Sequence, residues 1–279
     1  MDELEDAITG YWSTAISDIA PGVIRMHGYP IEQLIGEVTF SEMIWVMLRG
    51  ERPTPGEATL LEAALVAAVD HGTQAPSIAA ARMAVSCGLP INSAMATGAN
   101  LLGDIHGGAG QQCMEIFDQV LALTSGSDPS LTTAVRTVIS GLRDQGRLLP
   151  GFGHRFHPRD PRRDPLIALT SGAAERGEVA GRYLAVALEV ERQLGTDRDR
   201  TVPMNIDGAT ATIYAELGFA PEQCRGLFVL SRSVGILAHS WEERQGGRRI
   251  KGPLPPPLLG RYTGPQQRNV ESQGPDRQQ

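Results

Sequence analysis

Cysteine is scarce in this sequence: Cys87, Cys113 and Cys224 are the only three among 279 residues. They are odd in number and far apart, which argues against a disulfide framework and against a structural zinc site. All three are expected to be small, buried apolar residues in a reducing compartment. Aromatic residues are also few, at 5%. With Ala, Leu and Gly abundant, this predicts an interior of closely packed helices rather than a β-sandwich. No apolar run is long enough to span a bilayer, and the segment Met1 to Asp6 is acidic where a targeting signal would be basic. The formal net charge of -7 lacks the basic excess that nucleic-acid binding requires. A soluble cytoplasmic protein is therefore expected, with no nucleic-acid and no membrane partner, in which arginines act as local clamps. Strand-like alternation is nearly absent, and no internal repeat is evident.

What the sequence does have is helical periodicity punctuated by glycine and proline. Its 41% hydrophobic residues suffice for a sizeable core in one or two domains. Thr39-Phe-Ser-Glu42 has the form of a capping box, with an apolar run behind it and Gly50 as a stop. Leu60, Leu61, Ala64, Leu65 and Ala68 recur at helical spacing between Glu57 and Val69. Further helices are predicted over 77–86, 92–102, 111–123, 130–142, 166–170, 179–194, within 201–218, and from Pro221 to about Trp241. Gly252 to Pro257 reads as a stiff connector, and 265–279 as a polar, mobile tail.

Candidate chemistry gathers at the glycine-rich turns. In Pro150-Gly-Phe-Gly-His154-Arg155, glycines flank Phe152, so Gly151, Phe152 and Gly153 can approach a ligand closely while His154 exchanges a proton near neutral pH. Arg162 follows a proline-stiffened bend and offers a planar fork to a carboxylate or phosphate. His71 and His106 also sit beside glycine, and each taken alone reads equally as a turn or helix-end residue. None of the histidines has the close partner spacing of a metal site. Asp207, between Ile206 and Gly208, is either a helix N-cap or a functional carboxylate. Arg232 lies in the apolar run Leu227 to Leu237, where a cation must snorkel to water or meet an anion in a cleft.

These pieces occur in the order seen in the citrate synthase superfamily, which the chain resembles over nearly its whole length. The resemblance rests on His27-Gly-Tyr-Pro-Ile-Glu32, Leu48-Arg-Gly50-Glu-Arg-Pro53, Asp70-His71-Gly72, Gly103-Asp-Ile-His106-Gly-Gly108, Gly151-Phe-Gly-His154-Arg155 with Asp160-Pro-Arg162, Asn205-Ile-Asp207, and Ser231-Arg232-Ser-Val-Gly235. Gly208 after the aspartate, where synthases usually carry a bulky aromatic residue, looks more like the citryl-CoA lyase branch, including the lyase portion of ATP-citrate lyase. His106 is the more synthase-like feature.

The resemblance implies an all-α fold, with a large domain formed by 1–111 and 222–279 and a smaller one at 112–221 that closes over substrate. It implies that Asp207 is the acid–base group at the methyl carbon of acetyl-CoA and that His106 donates to the thioester oxygen. His154 would act at the oxygen of oxaloacetate or citryl-CoA, and His71, Arg162 and Arg232 would form a dicarboxylate clamp. Citryl-CoA lyase activity is the leading expectation, with a coenzyme A thioester as substrate and no permanently bound cofactor or metal. A citrate or 2-methylcitrate synthase, condensing an acyl-CoA with a 2-oxo acid, is the alternative, and a catalytically silent CoA-ester-binding subunit a third. A homodimer and a separate citrate-CoA ligase partner are also expected. One departure from the synthase pattern is the missing Arg-Pro segment before Tyr262-Thr-Gly264; Arg261 is the nearby substitute.

Overall fold

The computed structural model describes residues 8–124, 130–196, 202–253, 258 and 260–268. The stiff connector expected at 252–257 and the tail at 265–279 fall largely outside these residues. The fold is all-α, with one small sheet among the described residues, at the N-terminal side of the helices. Three strands, β1 (Ser17–Ala20), β2 (Val23–Met26) and β3 (Tyr29–Pro30), form an antiparallel meander in sequence order. Alternation did not reveal them because each spans at most four residues and none of these residues is buried. Turn chemistry makes them instead: His27 and Gly28 both have positive φ, at 47° and 86°, in a two-residue hairpin joining Met26 to Tyr29.

Among the described residues eleven helices follow: α1 (Ile31–Leu34), α2 (Phe40–Arg49), α3 (Pro55–Ala67), α4 (Pro76–Ser86), α5 (Ile91–Asn100), α6 (Ala109–Thr124), α7 (Leu131–Asp144), α8 (Arg163–Glu175), α9 (Arg182–Thr196), α10 (Ile206–Glu216) and α11 (Pro221–Gln245). Capping is local and legible. Thr39 and Glu42 form the expected box, Gly50 closes α2 at φ 84°, and Thr54 with Glu57 forms a second box that starts α3 two residues before the predicted point. The start of α9 is tertiary instead. Its first N–H groups, on Gly181, Tyr183 and Leu184, are satisfied by the Glu216 carboxylate from α10.

α10 runs through the middle of the molecule, with every residue from Gly208 to Ala215 buried, and packs against α3, α6, α8 and α9. Around it one contiguous apolar core extends from Ile44 and Trp45 through Phe117 and Val186 to Phe228. The 25-residue α11 lies across α4, α5 and α6, where a second small cluster joins Ala75, Ile78, Ala81 and Ile236. Cys113 and Cys224 are buried as expected, and burial pushes both thiols up from their ordinary range. Cys87 is exposed, contrary to expectation, because it caps the C-terminus of α4 and points away from the core.

Candidate active site

Two glycine contacts bring the site together. The loop 150–162 is clamped to the segment entering α10: Gly153 N–H donates to Pro203 O at 2.7 Å, Asn205 N–H to Gly151 O at 3.0 Å, and the Asn205 amide to Gly153 O at 2.7 Å. Gly151 (φ 82°) and Gly208 meet so closely that a Cβ at 208 would collide with the Gly151 carbonyl and lie 2.6 Å from Met204 Cγ. This seam sets His154 beside the start of α10. Asp207 is not its cap; Asn205 is, accepting from the N–H groups of Asp207 and Gly208 at 2.9 and 3.3 Å. The Asp207 carboxylate is thus left free for other work. Burial raises its pKa, with Arg232 and Arg162 acting in opposition.

The C-terminal end of α3 supplies the second half. Its last carbonyls accept from three distant side chains, Leu65 O in addition to the Ala68 N–H of the helix cap. Ser231 Oγ donates to Leu65 O at 2.5 Å, Arg162 Nη1 to Ala67 O at 3.4 Å, and Arg232 Nε to Ala68 O at 3.1 Å. Arg232 is 3% exposed and stacks over Phe228, so it does not snorkel. Burial lowers its pKa, whereas Asp207 and Asp70 favour its charge. Arg162 is already held by Asp160, which is 1% exposed and takes a bidentate ion pair at 2.9 and 2.8 Å. The second oxygen of Asp160 also accepts the N–H of Ile206 at 3.1 Å, tying that arginine to the base of α10.

The turn after α3 presents His71, whose Nε2 lies 3.2 Å from Nε2 of His154. The tautomers follow from the remaining bonds. His154 Nδ1 accepts the backbone N–H groups of Phe156 and His157, each at 3.0 Å, so the proton of its neutral ring sits on Nε2. His71 Nε2 is then the acceptor. His106 Nε2 accepts the N–H of Ser77 at 3.2 Å, in the first turn of α4, which leaves a proton on its Nδ1. Burial lowers the pKa of His71, His106 and His154, with Arg162 and Arg232 adding to the effect on His71, Arg232 on His106, and His157 on His154.

The structure therefore brings His71, His154, Arg162, Arg232 and Asp207 into one electrostatic neighbourhood, with His106 coupled to it through Arg232. Phe152 and Gly153 line a cavity of about 270 Å³ beside His154 and His157. Gly151 lies beneath it, packed on Gly208 rather than facing a ligand. Arg261 is exposed. Sequence reasoning missed Asp160 as a clamp on Arg162, although its place two residues before the arginine was a usable signal. It also missed His157. Ring nitrogens of His71, His154 and His157 lie within 4.8 Å of one another, close enough to face one ion. Linear spacing gave no sign of this grouping because His71 arrives from another element. The nearby Arg162 and Arg232 charges oppose a dication there, and His154 offers an N–H rather than a lone pair.

The sequence matches the family model for citrate synthase, C-terminal domain, over residues 45–253. The fold is similar to that of citryl-CoA lyase from Hydrogenobacter thermophilus, with a TM-score of 0.81 and 29% identity, covering 94% of this chain and 98% of that one. Citrate synthase from Thermoplasma acidophilum, in its ternary complex with carboxymethyl coenzyme A and oxaloacetate, gives a TM-score of 0.66 at 25% identity over 84% of this chain and 60% of that one. Citrate synthase of Haloferax volcanii is 30% identical over 78% of this chain and 53% of its own length. The chain thus spans about half the length of the curated relatives it matches.

Proposed function

The chain belongs to the citrate synthase family, and from that premise we propose that it is a citryl-CoA lyase, cleaving citryl-CoA to acetyl-CoA and oxaloacetate through the enolate of acetyl-CoA. The likeness to a citryl-CoA lyase over 94% of this chain carries the reading. The site supplies the chemistry it needs. The substrate hydroxyl enters between His71 and His154, accepting from His154 Nε2–H and donating to His71 Nε2. His154 thus donates to the hydroxyl oxygen, because its Nδ1 is already engaged by two backbone donors.

Transfer of the hydroxyl proton to His71 lets the oxygen form the keto group of oxaloacetate, and the electron pair of the breaking carbon–carbon bond passes into the thioester enolate. Nδ1–H of His106 stabilises charge on the enolate oxygen. Asp207, whose raised pKa favours holding a proton, delivers it to the methylene carbon. A proton returned from His71 to Asp207 resets the site. Arg232, with Arg162 steadied by Asp160, binds the carboxylates of the oxaloacetate portion. The cavity at Phe152 and Gly153 takes part of the coenzyme A moiety, which is substrate rather than resident cofactor.

Residues 112–221 act as the small domain that closes over the cleft and excludes water from the enolate. Leu230, Val234, Leu237 and Trp241 form an exposed apolar stripe at helical spacing on α11, which supports a homodimer. Citryl-CoA would be supplied by a separate citrate-CoA ligase. No helix among the described residues is long and apolar enough to cross a membrane, which accords with a cytoplasmic enzyme. The alternative is a citrate or 2-methylcitrate synthase, and curated relatives named citrate synthase favour the former. Offering the protein citryl-CoA, and separately acetyl-CoA plus oxaloacetate, decides between them. A lyase releases oxaloacetate from citryl-CoA without free thiol; net thiol release during condensation identifies a synthase, and turnover in neither assay leaves a silent CoA-ester-binding subunit.

A further inference from the structure

Behind His71 lies a second set of polar groups that the chemistry above does not use. Arg82 on α4 is 9% exposed, and its guanidinium donates to Glu243 at 2.7 Å and Glu242 at 2.6 Å, both on α11, and reaches Nδ1 of His239 at 3.2 Å. Lys251 completes the cage around Glu243 at 2.9 Å. An arginine can only donate, so Nδ1 of His239 accepts and the proton of the neutral ring sits on Nε2. That proton points at Asp70 Oδ2, 3.2 Å away. The same oxygen accepts the N–H of Gly72 at 3.1 Å, so Asp70 closes the turn that carries His71. Asp70 Oδ1 is buried with no partner, which leaves the Oδ2 contacts to orient the carboxylate. Gly235, one turn before His239, makes the approach possible, since a Cβ there would run into the Val69 carbonyl.

We propose that His239 is a positioning residue for His71, acting through Asp70, with Arg82 selecting which nitrogen of His239 carries the proton. Its effect is to hold the His71 lone pair at the place where the hydroxyl of the citryl group binds. The inference rests on the reading of the site as one that binds the hydroxyl-bearing citryl group. Displacement of a positioned group by about 1 Å costs on the order of a hundredfold.

Citrate affinity by calorimetry tests it, because citrate carries the hydroxyl that donates to His71 and its binding remains measurable where turnover does not. His71→Ala and His239→Leu are each expected to weaken binding by about 10–100-fold, while His239→Gln, whose amide N–H replaces the Nε2–H, retains most of the affinity. The double variant is expected to bind no more weakly than His71→Ala alone, since both act through one group. Wild-type affinity in His239→Leu beside a weakened His71→Ala would overturn the inference and leave the reading of the site intact. So would a double variant in which the two losses add in full. Wild-type affinity in His71→Ala would overturn that reading, and the inference with it.

Discussion

Gly208→Ala is the most discriminating single change this fold offers. The added Cβ meets the Gly151 carbonyl and lies 2.6 Å from Met204 Cγ, whereas ordinary contact begins near 3.4 Å. Neither the 151–153 loop nor the start of α10 can absorb this through a flexible side chain alone, because the clashing carbonyl is backbone and is itself bonded to Asn205 N–H. The seam must open by about 1 Å. Overpacking of this kind costs about 1–3 kcal/mol, and the better helix propensity of alanine returns at most about 1 kcal/mol. A net loss of about 1–2 kcal/mol corresponds to a fall in Tm of several degrees, at roughly 2–4 °C per kcal/mol. The larger effect is on catalysis. His154 and Asp207 sit on opposite sides of the seam, so a shift of about 1 Å between them is expected to lower citryl-CoA cleavage on the order of a hundredfold. Gly141→Ala is the matched control: it lies within α7 with nothing within 4 Å of the added Cβ, and it is expected to gain about 0.5–1 kcal/mol with turnover unchanged. Thermal unfolding and citryl-CoA cleavage measured on both variants decide the matter. A Gly208→Ala enzyme with wild-type Tm and wild-type rate would refute the idea that this contact sets the geometry of the site.

Asp207→Asn keeps the shape and the Asn205 cap while removing the transferable proton, so a fold intact by circular dichroism with kcat reduced by about a thousandfold or more is expected; near-normal turnover would remove Asp207 from the mechanism. His71 and His154 have pKa values depressed below 6.5, chiefly by burial, so both remain neutral on moderate acidification. Between those depressed values and 6.5 the unfolded chain binds more protons than the native one, so their contribution to stability rises with pH across that window. Activity should therefore persist below pH 6.5 before its acid limb, and a limb centred at or above 6.5 would contradict the burial. In native protein, a disulfide reagent should label Cys87 rapidly and spare Cys113 and Cys224 until unfolding, as mass spectrometry of the labelled chain would reveal.

The alphabet of this protein is largely local. Thr39 with Glu42, Gly50, Pro221 and the period of Leu60 to Ala68 are short-range signals, so most helices and several of their ends could be read directly from residue order. The motif order around His71, His106, His154, Asp207 and Arg232 pointed to the candidate site for the same reason: each motif is a glycine turn or helix segment recognisable by itself. The meander of β1 to β3 was not legible, because strands this short and exposed carry no alternating core face.

Tertiary structure alone decided what each group can do. Whether a histidine donates or accepts depends on its second nitrogen. For His106 that nitrogen faces a backbone N–H from an element 29 residues away, and for His154 it faces its own loop. Asp207 proved free because Asn205 took the cap, Arg162 proved tethered because Asp160 shares it with α10, and His239 met Asp70 across 169 residues of chain. Residue order determined which helices and turns form and which residue types they carry. Packing determined which lone pairs and protons face the cleft, because hydrogen-bond direction is set by neighbours in space rather than in sequence.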